Sequence, residues 1–191
     1  MEKRYIPFHD VVCREENDDA IIEGYFAVFN SNYELWPGHT ESIAKGAFDS
    51  CLDQDTRALW NHNSDIVLGR TGAGTLTLQA DDTGLRGRVT INRKDSEAMN
   101  CYERIKRKDV SGCSFGFEIG KEEADYREDG TVHWTIREVS KLFEVSPCTF
   151  PAYEQTSINA RKKEVDDHNR RKLEVWRKEM RDRLKGGRDG D

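Results

Sequence analysis

The chain has 191 residues, 36% hydrophobic and 35% charged, with a formal net charge of −6 at pH 7. It is long enough for one domain with a real core plus an appendage, and no window approaches the roughly 18 apolar residues of a membrane span. Residues 161–191 hold 12 Lys and Arg against 8 Asp and Glu, so residues 1–160 are acidic, which makes nucleic acid an unlikely main partner.

Residues 3–13 read as an opening strand, with Tyr5, Phe8, Val11 and Val12 as its apolar points. An acidic loop follows, and residues 21–29 form a second, strongly β stretch. Residues 30–39 are predicted as loop, with Pro37-Gly38 as punctuation. Residues 41–45 read as a short strand. From Gly46 the spacing of Phe48, Cys51 and Leu52 predicts a short helix. Residues 56–60 form a strand that stops at Asn61-His62-Asn63, which puts His62 at a strand end or on a loop. Residues 66–70 continue as strand. Residues 75–80 and 85–91 flank Asp81-Asp82-Thr83-Gly84 and predict a hairpin.

Residues 94–108 read as a helix that Ser96 can cap, with Ala98, Met99, Tyr102 and Ile105 as its stripe. The stretch Ser111-Gly112-Cys113-Ser114-Phe115-Gly116-Phe117 then alternates large rings with small residues, the pattern of a half-buried strand. Gly112, Ser114 and Gly116 share a nearly bare face on which a peptide backbone could lie. A charged excursion at 121–128 leads to a turn at Asp129-Gly130. Residues 132–139 and 142–145 are strands, and 146–153 is irregular around Pro147 and Pro151.

A boundary near 158–162 separates a domain, 1–160, from a charged helical tail, 161–191. Leu173, Trp176, Met180 and Leu184 form a narrow apolar seam there, ending at Gly186-Gly187. The fold class expected is α+β, mainly β, with a C-terminal amphipathic helix. Five cysteines without a C-x-x-C pair fit reduced thiols rather than a disulfide framework or a zinc site. With no signal-peptide pattern at its start, the chain is expected to be soluble and intracellular.

The chemistry has three candidates. Ser114 is a nucleophile candidate, since a serine hydroxyl needs only a base in reach to attack a carbonyl. Many strand serines are merely small, and Ser111 competes but points to the Phe115 side. His62 is the base candidate, although many loop histidines are simply solvated. His133, on a predicted strand, is its rival. Glu144 interrupts the apolar run 142–145, and a lone carboxylate there needs a partner. It can orient the imidazole, or it can be an edge charge that blocks aggregation. No phosphate loop, dinucleotide fingerprint, G-x-S-x-G elbow or metal-spaced cluster is present, so neither cofactor nor metal is expected.

Several blocks stand in a fixed order. They are Gly24–Asn30, Gly46-Ala47-Phe48, Asn61-His62-Asn63 with Leu68-Gly69-Arg70, residues 111–117, and Glu144-Val145-Ser146-Pro147 with Pro151-Ala152-Tyr153. Together they resemble the tailed-phage prohead proteases, serine peptidases that mature viral capsids and are related in fold to herpesvirus assemblins. The resemblance covers about residues 20–155 and leaves out the tail. It implies an antiparallel β-barrel core with a few helices. It also implies a Ser-His pair, Ser114 and His62, with a third residue on a neighbouring strand. The herpesvirus relatives use histidine in that third role, whereas this chain offers Glu144. Cys113 stands where the family usually carries a bulkier apolar residue.

On this reading main-chain N–H groups hold the oxyanion, with Arg70 or Arg137 as assistants, and Gly112 and Gly116 bind substrate backbone. The implied substrates are scaffold, the scaffolding segment of the major capsid protein, and the protease itself. The implied setting is the assembling procapsid in the host cytoplasm, with a homodimer as the relatives' suggestion. Two rival readings are a non-enzymatic assembly factor that holds scaffold with the seam helix, and a DNA-binding accessory that uses the tail.

Overall fold

The structure is a computed structural model that describes residues 1–7, 9–150 and 155–186. Its strands fall into two sheets. The larger contains β1 (Glu2–Pro7), β4 (Tyr33–Trp36), β5 (His39–Ile43), β6 (Arg57–Trp60), β7 (Asn63–Arg70), β10 (Gly112–Tyr126) and β11 (Val132–Cys148). The smaller runs in the order β2 (His9–Glu16), β3 (Asp19–Val28), β9 (Gly84–Ile91), β8 (Leu76–Ala80). The fold is mainly β with helices, as expected. Among the described residues no closed ring of strand pairings forms, and β11 takes parallel partners in β5 and β6.

One hydrophobic cluster is fed by both sheets. Ile22 and Phe26 of β3 and Leu85 and Val89 of β9 join Phe115 and Phe117 of β10 and Ile136 and Val145 of β11. The helix α1 (Ser96–Lys106) closes one side with Ala98, Cys101, Tyr102 and Ile105. Its cap is Asp95, whose carboxylate accepts from the backbone N–H of Glu97 and Ala98. The cap therefore falls one residue before the expected Ser96, because an aspartate there reaches two orphan donors at once.

Several expected elements are corrected. The opening strand is two strands in different sheets, β1 and β2; Phe8 lies outside the described residues. The loop 30–39 contains β4, a short edge strand on β5. The expected helix at 46–52 is a run of turns closed by i→i+3 bonds, such as Asp49 N–H to Gly46 and Cys51 N–H to Phe48. Gly46 enters that run at φ +84°, outside helical space. The charged excursion is strand as far as Tyr126, and 132–148 is one strand.

Contacts divide the chain at Tyr153 and Glu154. The second unit contains a single helix, α2 (Gln155–Gly186). On it Leu173, Trp176 and Met180 are exposed; the side chain of Leu184 lies outside what the structure describes, as do Gly187 and residues 151–153 of the irregular stretch. No helix among the described residues is long and apolar enough to cross a membrane.

Candidate active site

The antiparallel pair β10–β11 sets the site by register. Ser114 stands opposite Ser146, and Gly116 opposite Glu144. Directly paired residues of neighbouring strands project to one face, as do residues two apart on a strand. So Gly112, Ser114, Gly116, Glu144 and Ser146 share a face, and Phe115, Phe117 and Val145 point into the core. β1 flanks β10 on its other edge and brings Tyr5 opposite Ser114.

His62 arrives from a different element. Asn61 and His62 form the two-residue turn between β6 and β7, both at positive φ, +50° and +62°. Two left-handed residues in a row are the signature of a type I′ hairpin turn, and Asn and His tolerate that region better than most residues. Asn61 pins the turn to the end of β11. Its backbone N–H donates to the Pro147 carbonyl at 3.1 Å, and its side-chain oxygen accepts from the Thr149 N–H at 2.8 Å. Meanwhile β6 pairs with β11 at Arg57–Glu144. The turn is thereby tied to β11 at Glu144 and just beyond it.

The imidazole meets the carboxylate directly. Nδ1 of His62 lies 2.7 Å from Glu144 Oε1, with side chains only 12% and 5% exposed. The other carboxylate oxygen, Oε2, accepts from the buried Ser146 hydroxyl. An ionised carboxylate only accepts hydrogen bonds, so the proton of this contact sits on Nδ1. That leaves the lone pair on Nε2, the atom a general base uses. His62 Nε2 and Ser114 Oγ are both buried, and neither has a hydrogen-bond partner among the described residues. Ser114 itself is fully enclosed.

The two glycines face the chain's own atoms. A Cβ on Gly112 would fall inside the Tyr5 ring, 1.9 Å from its hydroxyl, and one on Gly116 would lie 2.6 Å from Glu144 Oε1. Their absent side chains make room for Tyr5 and for the carboxylate. The strand is likewise buried on both faces from Gly112 to Phe117 rather than half-buried.

Neither arginine assistant is brought to the serine. Arg70 grips Asp55 through two bonds of 2.7 Å, exposed to solvent, and that fork holds the Asp55 carboxyl down at about 2. Arg137 pairs with Glu123 on the surface of the outer hairpin. It lies nine residues along β11 from Ser146, about 30 Å at strand rise. His133, the rival base, is bonded by Thr40 at 2.8 Å and Ser42 at 2.9 Å, and sits on β11 opposite Asp125, far along the ladder from the Ser114–Ser146 pair.

The nearby thiols are not nucleophiles in waiting. Burial and then the Glu144 charge push Cys148 up to about 12, and burial raises Cys113 well above its ordinary value. Both stay protonated at neutral pH, whereas nucleophilic cysteines are thiolates.

Sequence reading missed Ser146, Asn61 and Tyr5. Ser146 had a signal, its i+2 spacing from Glu144 on a strand. Asn61 had one too, as a turn residue directly before His62. Tyr5 had none, because only the β1–β10 register places it.

No solved structure matches the chain. A curated relative, the prohead protease of Enterobacteria phage HK97, is 28% identical over 165 residues, which is 84% of this chain and 68% of the relative. A family model described as caudovirus prohead serine protease matches residues 9–171. The match spans most of the chain and all of the elements that carry Ser114, His62 and Glu144; the chain belongs to the caudovirus prohead serine protease family and is a serine peptidase.

Proposed function

We propose that this peptidase matures a viral procapsid with Ser114 as nucleophile, His62 as general base and Glu144 as the carboxylate that orients the imidazole. The observation that carries the reading is a pair of orphaned atoms. Ser114 Oγ and His62 Nε2 are buried and unpartnered among the described residues, and the other nitrogen of the histidine is committed to a buried carboxylate. Buried polar atoms without partners are rare and call for an explanation. Catalytic hydrogen bonds are often unmade before substrate binds.

In the reaction, Nε2 takes the Ser114 proton as Oγ attacks the peptide carbonyl. The resulting imidazolium hands that proton to the leaving amine, and an acyl-serine remains. Water then attacks the ester, His62 again accepting the proton and returning it to Ser114. Glu144 stabilises the imidazolium throughout. Main-chain N–H groups hold the oxyanion. Because Ser114 is enclosed, substrate reaches it only when its cover, which includes Tyr5 of β1, moves aside.

The substrates are scaffold or the scaffolding segments of capsid protein, and the enzyme's own chain, cut inside the assembling shell in the host cytoplasm. The HK97 relative's name as a prohead protease supports this setting. A homodimer fits an enzyme activated by concentration within a shell. The tail from 161 onward is a segment open to self-cleavage. The two sheets, joined through one core, are a partly open form of the barrel.

The test is a fluorophosphonate probe that labels activated serines. Wild-type protein is labelled once, on Ser114, and Ser114→Ala is neither labelled nor able to process capsid protein. Normal processing by Ser114→Ala overturns the assignment.

A further inference from the structure

We propose that Ser146 is a positioning residue of this peptidase, acting on Glu144. The inference rests on the reading of Glu144 as the third member of the site.

A carboxylate has two oxygens, and burial makes each one costly to leave without a donor. His62 satisfies Oε1 of Glu144 only. Ser146 lies two residues further along β11, on the same face, fully buried, and donates its hydroxyl proton to Oε2. The carboxylate is therefore gripped at both ends. Two donors on opposite oxygens fix the plane of the group, so Oε1 stays aimed at Nδ1 and the imidazole stays in the tautomer that leaves Nε2 free.

Ser146 has a second consequence for Ser114, its opposite neighbour in the ladder. A hydroxyl carries one proton. With that proton committed to Glu144, Ser146 has none to donate to Ser114. The nucleophile's lone pairs are left free for attack.

The experiment compares wild type, Ser146→Ala, Glu144→Gln and the double variant. The readouts are kcat, KM, melting temperature and the proton NMR resonance of the His62 Nδ1–H. Ser146→Ala removes one atom, and an unchanged melting temperature confirms that the fold is kept. The expected result is a fall in kcat of about 10- to 100-fold, the range for a hydrogen bond to a charged group, with KM within twofold. The downfield Nδ1–H resonance of the wild type shifts or broadens away. In the Glu144→Gln background the same change alters kcat by less than twofold, because members of one unit are not additive.

A Ser146→Ala enzyme with kcat within twofold and an unmoved resonance overturns the proposal. So does a loss equally large in the Glu144→Gln background, since Ser146 then acts by a route other than the carboxylate. A Glu144→Gln enzyme of normal activity sinks the triad reading instead, and the two failures are separately visible.

Discussion

The two ends of the β10–β11 hairpin are built from the same two strands and serve opposite purposes. At the inner end, residues 112–117 are all buried, and the polar groups are few and specific: Ser114, Glu144 and Ser146. At the outer end, residues 120–125 are exposed, and the polar groups are surface ion pairs, Lys121–Glu138 and Arg137–Glu123. The same strand pair runs through both ends, with register shifts between Gly116 and Glu122. What differs is water. At the outer end solvent screens each charge, so the pairs are close to interchangeable. At the inner end nothing screens Glu144, so each donor to it matters and an unpaired hydroxyl or imidazole nitrogen stands out. Under the proposed mechanism, reactivity here is a property of enclosure more than of residue type.

The contrast predicts a graded set of responses. The largest concerns a charge pair buried beside the inner end. Arg4 of β1 lies opposite Phe115, with its guanidinium over the Phe117 ring, and forks onto the fully buried Glu41, which also accepts from Tyr33. Arg4→Ala strips the arginine from an enclosed carboxylate and should cost about 3–5 kcal/mol by denaturant unfolding. A loss under 1 kcal/mol would mean that β1 is solvated in practice and that the contrast of the two ends is overstated. Next comes Gly116→Ala. A methyl 2.6 Å from Oε1 forces the Glu144 carboxylate off His62. A displacement of that size should lower kcat about 100-fold, read with a peptide substrate. Unchanged kcat would mean the carboxylate has slack that its two donors do not suggest. The smallest response is Arg137→Ala, which removes a pair with both side chains about half exposed. Less than about 1 kcal/mol should be lost, and activity should hold. A larger effect would tie the outer end to the site mechanically.

The same contrast explains what the sequence could say. The hairpin at 76–91 was legible because Leu76 and Leu78 alternate around a turn of Asp and Gly residues, all local information. Ser114 and His62 were legible as candidates because each sits in a locally odd setting, a hydroxyl among glycines and a histidine in a polar turn. The strand from Lys121 to Tyr126 was not, because its residues carry no alternation. It is strand because Val132–Ile136 of β11 bury on the core side and offer a ladder, a tertiary override of weak propensity. The run 46–52 has helical spacing at Phe48 and Cys51, but its backbone closes i→i+3 turns instead, and Phe48 packs its ring on Phe29 and Phe115. Burial of the Ser114 face also escaped notice. It depends on Tyr5, more than a hundred residues away along the chain, and no pattern within 111–119 hints at a cover.

The irregularities in the β10–β11 ladder have an engineering consequence. Register shifts cluster between Gly116 and Glu122, past the reactive segment and before the outer tip. Side chains alternate with period two, so one extra residue between Gly112 and Gly116 would rotate Ser114 into the oily interior and abolish turnover. Beyond Glu122 an added residue has only to be absorbed near the tip, and the loop at Asp129-Gly130 is open to solvent. An epitope or fluorophore threaded there would report on the enzyme inside a shell while leaving its chemistry alone.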